Sequence, residues 1–106
     1  LIKDMPQALD YVIIEADGAK HHSLKYPAAD EPVIYPGTTD VIIVLGTWEK
    51  GRSCKDVVFR YELMQKELGT AEDAVVDDSI IDTLQQVYVR KLRDSGFEGR
   101  ISTYFI

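Results

Sequence analysis

The chain is poor in cysteine, with one, and in tryptophan, with one, and its bases are outnumbered by acids. It also has no apolar run near the roughly 20 residues that a bilayer-crossing helix needs. Each shortage excludes something. The lone Cys54 cannot close an internal disulfide, which fits a reducing compartment. A thiol at a helix start can have a lowered pKa, but an inert, partly buried cysteine is the plainer reading, and Cys54 is assigned no role. Twelve Lys and Arg against 18 Asp and Glu leave a net charge of -6. No basic stripe exists to displace phosphate counterions, so a nucleic-acid partner is not expected. With no basic start followed by an apolar core and a small-residue cleavage site, the expected location is the cytoplasm, away from membranes.

What is present is an ordinary globular composition, 45% hydrophobic and 28% charged over 106 residues. Residues 1–106 therefore read as a single domain or a fragment of a larger α/β domain. No internal repeat or low-complexity stretch appears.

Strands are expected at about 11–15, 40–46 and 100–106, and helices at about 54–68 and 78–95. Tyr11-Val12-Ile13-Ile14 is a β-branched apolar run ending at a Gly-containing loop, as a buried strand does. Residues 20–39 contain Pro27, Pro32, Pro36 and Gly37 and read as an extended loop of a length usually reserved for function or disorder. Val41-Ile42-Ile43-Val44-Leu45 is unbroken apolar sequence, which predicts a strand covered on both faces, as in parallel sheets. Ser53 is placed to cap a helix with Val57, Val58, Tyr61, Met64 and Leu68 inward and Gly69 as its stop. The last helix carries Asp77 and Asp78 at its start and an apolar stripe of Ile80, Ile81, Leu84, Val87, Tyr88 and Leu92. Arg90, Lys91 and Arg93 close it, all in the sense that complements the helix dipole. Two doubly buried strands need more helical cover than two helices provide, so a further segment or a second chain is expected over the open face.

The chemistry centres on Glu15-Ala16-Asp17-Gly18. An aliphatic strand delivering an acid into a glycine turn is how nucleotide hydrolases place Asp beside phosphate-bound Mg²⁺. Asp17 is the candidate metal ligand and catalytic residue, Glu15 orients its water, and Gly18 lets backbone approach the ligand. A strand also ends in Asp-Gly simply to make a turn. Lys20, Lys25 and Arg60 supply positive charge for an anionic ligand, or else balance the chain's acids. Residues 46–53, Gly-Thr-Trp-Glu-Lys-Gly-Arg-Ser, mimic a phosphate-cradling loop, but Arg52 stands where that loop has Lys, and Trp48 and Glu49 suit it poorly. An ordinary strand-to-helix loop is preferred. His21 and His22, adjacent in an extended segment, point apart and make a poor metal pair. Tyr26 and Tyr35, among prolines, are read either as a recognition surface or as residues that order the loop.

Val12-Ile13-Ile14-Glu15-Ala16-Asp17-Gly18-Ala19-Lys20, followed by Leu24-Lys25-Tyr26-Pro27-Ala28-Ala29-Asp30-Glu31-Pro32-Val33-Ile34, resembles the YqeC-like accessory proteins of selenium-dependent molybdenum hydroxylases. The likeness continues through Gly46, Gly51 and Val58-Phe59-Arg60 and covers about the first sixty residues. It implies a mostly parallel α/β sheet with flanking helices, in a P-loop NTPase-like (Rossmann-like) three-layer architecture that is incomplete here. In the family a phosphate loop precedes the segment equivalent to Leu1, and no such loop occurs in this chain. Asp30 stands where the family often has His, and Tyr35 is inserted before Pro36. No Asn-Lys-x-Asp motif follows the third strand to specify guanine.

The resemblance implies a maturation factor that binds ATP or GTP with Mg²⁺, using Asp17 and Glu15 at the metal and Gly18, Lys20, Lys25, Glu31 and Arg60 at the nucleotide. Its partners would be a molybdenum hydroxylase or its cofactor-maturation proteins, or a second copy of itself. NTPase activity is expected of a complete protein and not of this chain alone. The alternative is a non-enzymatic interaction or cofactor-carrying module in which the acidic turn is structural.

Overall fold

A computed structural model describes residues 12–15, 18, 19 and 21–106. It is a small α/β structure with short parallel strands and helices. In chain order the elements are β1 (Leu24–Lys25), β2 (Asp40–Leu45), α1 (Cys54–Val57), β3 (Val58–Phe59), α2 (Tyr61–Leu68), α3 (Asp78–Asp94) and β4 (Arg100–Phe105). β1 pairs in parallel with β3, and β2 in parallel with β4. Among the described residues no helix is long and apolar enough to cross a membrane.

α3 forms where its sequence is most periodic. The Asp77 carboxylate accepts the Ile80 N–H at 2.9 Å, satisfying one of the first-turn amides that the helix leaves unpaired. Ile81, Leu84, Tyr88 and Leu92 enter the core. Gly96, with φ +95°, lets the chain turn away, and Arg93 then ties it to the carbonyls of Phe97 and Gly99.

The helix expected over 54–68 is interrupted. Val57-Val58-Phe59 is a β-branched and aromatic run that suits a strand better than a helix. Val58 and Phe59 accordingly leave the helix to pair with Leu24 and Lys25. Arg60 then takes a left-handed conformation, φ 66° and ψ 39°, before α2 begins. Ser53 stands at the N-cap of α1 without a side-chain cap bond, and Leu68, expected inside, is exposed.

Two strand expectations change as well. Residues 12–15 form no strand, and Ile13 is 96% exposed. Among the described residues no neighbouring strand offers the ladder bonds that an extended segment needs, so their β propensity goes unused. β2 is covered on one face only: Ile43 and Leu45 are buried, whereas Ile42 and Val44 are exposed. The parallel register sets Val44 beside Tyr104, which is exposed on the same side. Among the described residues, two short two-stranded sheets and three helices do not supply the second cover layer that such a strand is built for.

The core gathers Met64 from α2, Leu84 and Leu92 from α3, Ile43 and Leu45 from β2, and Leu24 and Tyr26 from the proline-rich stretch. Within that stretch residues 24–27 are buried, and its other described residues are exposed or half-buried loop.

Candidate functional site

The pairing of β1 with β3 does more than close a small sheet. The register places Lys25 opposite Phe59, and the Tyr26 N–H donates to the Phe59 carbonyl at 2.9 Å. Lys25 is thereby drawn inside, 6% exposed. An ammonium at that depth must be paired. Its Nζ donates to the Glu31 carboxylate and to the Gly18 carbonyl, each at 2.9 Å. The break between β3 and α2 delivers the second cation, since Arg60 Nη1 donates to Glu31 Oε1 at 3.2 Å. The Ala28 N–H reaches the same oxygen at 3.0 Å.

Glu31 is thus held by three donors from three segments. Burial alone pushes its carboxyl up, but the Ala28 N–H, the Lys25 hydrogen bond and the charges of Lys25 and Arg60 outweigh it. The carboxyl is held below its ordinary 4.5. The Phe59 ring organises the cations, with Arg60 4.7 Å and Lys25 5.6 Å from its centroid. The His22 ring is tilted against it at 5.4 Å, and His22 Nδ1 donates to the Ala19 carbonyl.

Glu15 joins from the other side. A Cβ at Gly18 would come within 2.8 Å of Glu15 Oε1, so the bare glycine gives that carboxylate its place. Glu15, Gly18 and Lys25 also line a cleft of about 1010 Å³ whose opposite wall is β2. Glu31 and Arg60 are not in that wall. Of the residues singled out in the sequence, the structure joins Gly18, Lys25, Glu31 and Arg60 by hydrogen bonds and sets Glu15 beside Gly18. Asp17 and Lys20 lie outside the described residues.

The segment carrying Glu31 is fastened at both ends. The Tyr26 hydroxyl donates to Glu67 of α2 at 2.7 Å, and Lys91 of α3 donates to the Ala28 carbonyl at 2.6 Å. Burial, the hydrogen bond to Glu67 and the charge of Glu67 push the Tyr26 hydroxyl up to about 12. Tyr26 is therefore a buried fastening residue, and the recognition role considered for it is withdrawn. Tyr35 is half-buried beside a smaller pocket of about 470 Å³ that it shares with Pro36 and Phe97. Sequence reasoning missed Phe59, Lys91 and the Ala28 amide. Phe59 carried a signal, lying next to Arg60 in a quoted motif. Lys91 carried none, because its partner is 63 positions away.

Two other expectations are settled by hydrogen bonding. In residues 46–53 the amides of Gly46, Thr47, Lys50, Gly51 and Arg52 all donate to carbonyls of the chain. They are not available to cradle a phosphate. Gly46 is small for packing, since a Cβ there would strike the Trp48 ring. Cys54 is buried, and burial together with the nearby Asp77 pushes its thiol up. It is inert rather than activated. Among the described residues no group of three or more His, Cys, Asp or Glu is placed to hold a metal ion.

The fold and this network define a small α/β protein with parallel strands and a partly buried mixed-charge cluster at the edge of a cleft. The family model described as YqeC protein matches residues 1–62, so the chain belongs to the YqeC family. No curated protein and no solved structure matches it.

Proposed function

We propose that the protein is a nucleotide-binding accessory factor in the maturation of selenium-dependent molybdenum hydroxylases, with a P-loop NTPase-like architecture and a Mg²⁺-dependent ligand. Membership of the YqeC family is consistent with the accessory role. The observation that carries the nucleotide reading is the meeting of Gly18, Lys25, Glu31 and Arg60 in one network beside a cleft, with Glu15 set beside Gly18. A buried ammonium and a partly buried guanidinium beside carboxylates suit an anionic, metal-bound ligand.

The donor set suits Mg²⁺, which takes one or two carboxylates and leaves its other positions to water and phosphate oxygens. Asp17 would be its direct ligand and Glu15 would orient a bound water, while the ion would neutralise phosphate charge. Lys25 and Arg60 bind the anion, and Gly18 keeps the approach open. The reading assigns the phosphate loop to the family's N-terminal portion. Hydrolysis is not expected of residues 1–106 alone, because most phosphate contacts and transition-state charge stabilisation would be missing.

Calorimetric titration of ATP and GTP, with and without Mg²⁺, tests the reading on this chain and on a form carrying the family's N-terminal portion. Binding by the longer form that needs Mg²⁺ and weakens roughly tenfold or more in Asp17→Asn is expected. Absence of binding by both forms removes the nucleotide.

The exposed apolar face of Ile42, Val44 and Tyr104 favours a second reading. In it the chain is an interaction or cofactor-carrying module for a hydroxylase, its maturation proteins or a second copy. The acidic turn is then structural, and Asp17→Asn leaves partner binding intact while Val44→Lys abolishes it.

A further inference from the structure

Glu31 was grouped with the residues that bind the nucleotide, yet it is an anion set among the groups that should bind one. Its two oxygens take the Lys25 ammonium at 2.9 Å, the Arg60 guanidinium at 3.2 Å and the Ala28 N–H at 3.0 Å. Two cations and a backbone amide converging on two oxygens form the coordination that proteins offer to a phosphoryl group or a free carboxylate. The supporting frame is tied to two helices. Lys91 fixes the Ala28 peptide from α3, Tyr26 and Glu67 fix the strand end, and Lys25 and Arg60 both lie against the Phe59 ring.

We infer that Lys25, Arg60 and the Ala28 amide form an oxyanion subsite that Glu31 fills as a resident stand-in, so that a phosphoryl group binds there by displacing the Glu31 carboxylate. This rests on the nucleotide reading and changes the part that Glu31 plays in it. Glu31 is a competitor of the ligand and sets the affinity threshold, keeping two cations ordered and offsetting part of their charge while the subsite holds no ligand. Phosphate-sized oxyanions are the ligand class. A neutral ligand leaves Glu31 in place, because it offers the cations nothing in exchange.

Inorganic pyrophosphate is the probe, titrated calorimetrically into the protein and into Glu31→Gln. Gln keeps the shape and the acceptor oxygen but surrenders the charge that competes. Glu31→Gln should bind pyrophosphate roughly fivefold more tightly, the scale of a partly exposed ion pair. Equal or weaker binding overturns the inference and leaves the nucleotide reading standing, with Glu31 a supporting residue. Absence of pyrophosphate binding by both proteins overturns the inference, and the nucleotide reading falls with it only if the form carrying the family's N-terminal portion also fails to bind ATP with Mg²⁺.

A measurement on the unaltered protein covers the case in which Glu31→Gln does not fold. The Glu31 carboxyl, followed by carbon NMR against pH, should titrate nearer its ordinary value when pyrophosphate is bound, because displacement takes it away from Lys25 and Arg60. A titration that stays where it was, or moves further down, means that the anion binds away from Glu31, and overturns the inference.

Discussion

Leu24 and Tyr26 belong to a stretch broken by three prolines, and they are 1% and 3% exposed. Ile42 and Val44 belong to an unbroken apolar strand, and they are 61% and 56% exposed. Local hydropathy would have assigned the opposite burial. The difference lies in what each segment packs against. The proline-rich stretch is gripped by β3 through backbone pairing, by α2 through Glu67 and by α3 through Lys91. β2 has α3 on one side and, among the described residues, no helix on the other. Burial in a small domain follows the supply of neighbours, and hydropathy tells only which residues would accept one.

The comparison breaks most visibly at Leu24. Leu24→Ala should cost about 2–5 kcal/mol in chemical denaturation, the penalty of a core cavity, although the residue lies at the edge of what reads as a loop. A cost under about 1 kcal/mol would mean that the stretch is only laid against the surface. Tyr26→Phe removes one hydrogen bond to Glu67 and should cost about 1 kcal/mol near neutral pH.

Tyr26 also sets a pH dependence. Its hydroxyl is raised from 10.0 to about 12, so the neutral form is the one the fold favours. Its stabilising contribution is complete below the unfolded value of 10.0 and is lost as pH rises through about 12. Thermal melts across that window should fall for the unaltered protein and flatten for Tyr26→Phe. The smallest effect is expected on the strand, where Ile42→Thr should change stability by under about 0.5 kcal/mol. A larger loss would show that the Ile42 face is covered in solution and would favour the interaction module.

The sequence made the α/β class and the parallel strands readable, and α3 above all. Its cap, stripe and closing bases all act within a few residues of one another, so local rules apply. The break at Val58 was not readable, because Val57-Val58-Phe59 continues a helical spacing and turns into a strand only once Leu24 is there to pair with it. The same limit governed the site. Lys25, Glu31 and Arg60 were each named, but nothing in their spacing said that one carboxylate would join the two cations. Lys91 was invisible for the same reason. Contacts across 29 or 63 positions belong to the tertiary structure and leave no local periodicity.

Arg60 carries a further consequence. A left-handed residue other than glycine is held there by its surroundings, and glycine would adopt φ 66° at no steric cost. Selection for folding alone would let this position drift to glycine or asparagine, relaxing the backbone and discarding the guanidinium. Selection for the anion subsite would retain arginine in spite of its conformation. Residue 60 is thus a place where a library of variants, sorted once for stability and once for ligand binding, would return two different amino acids.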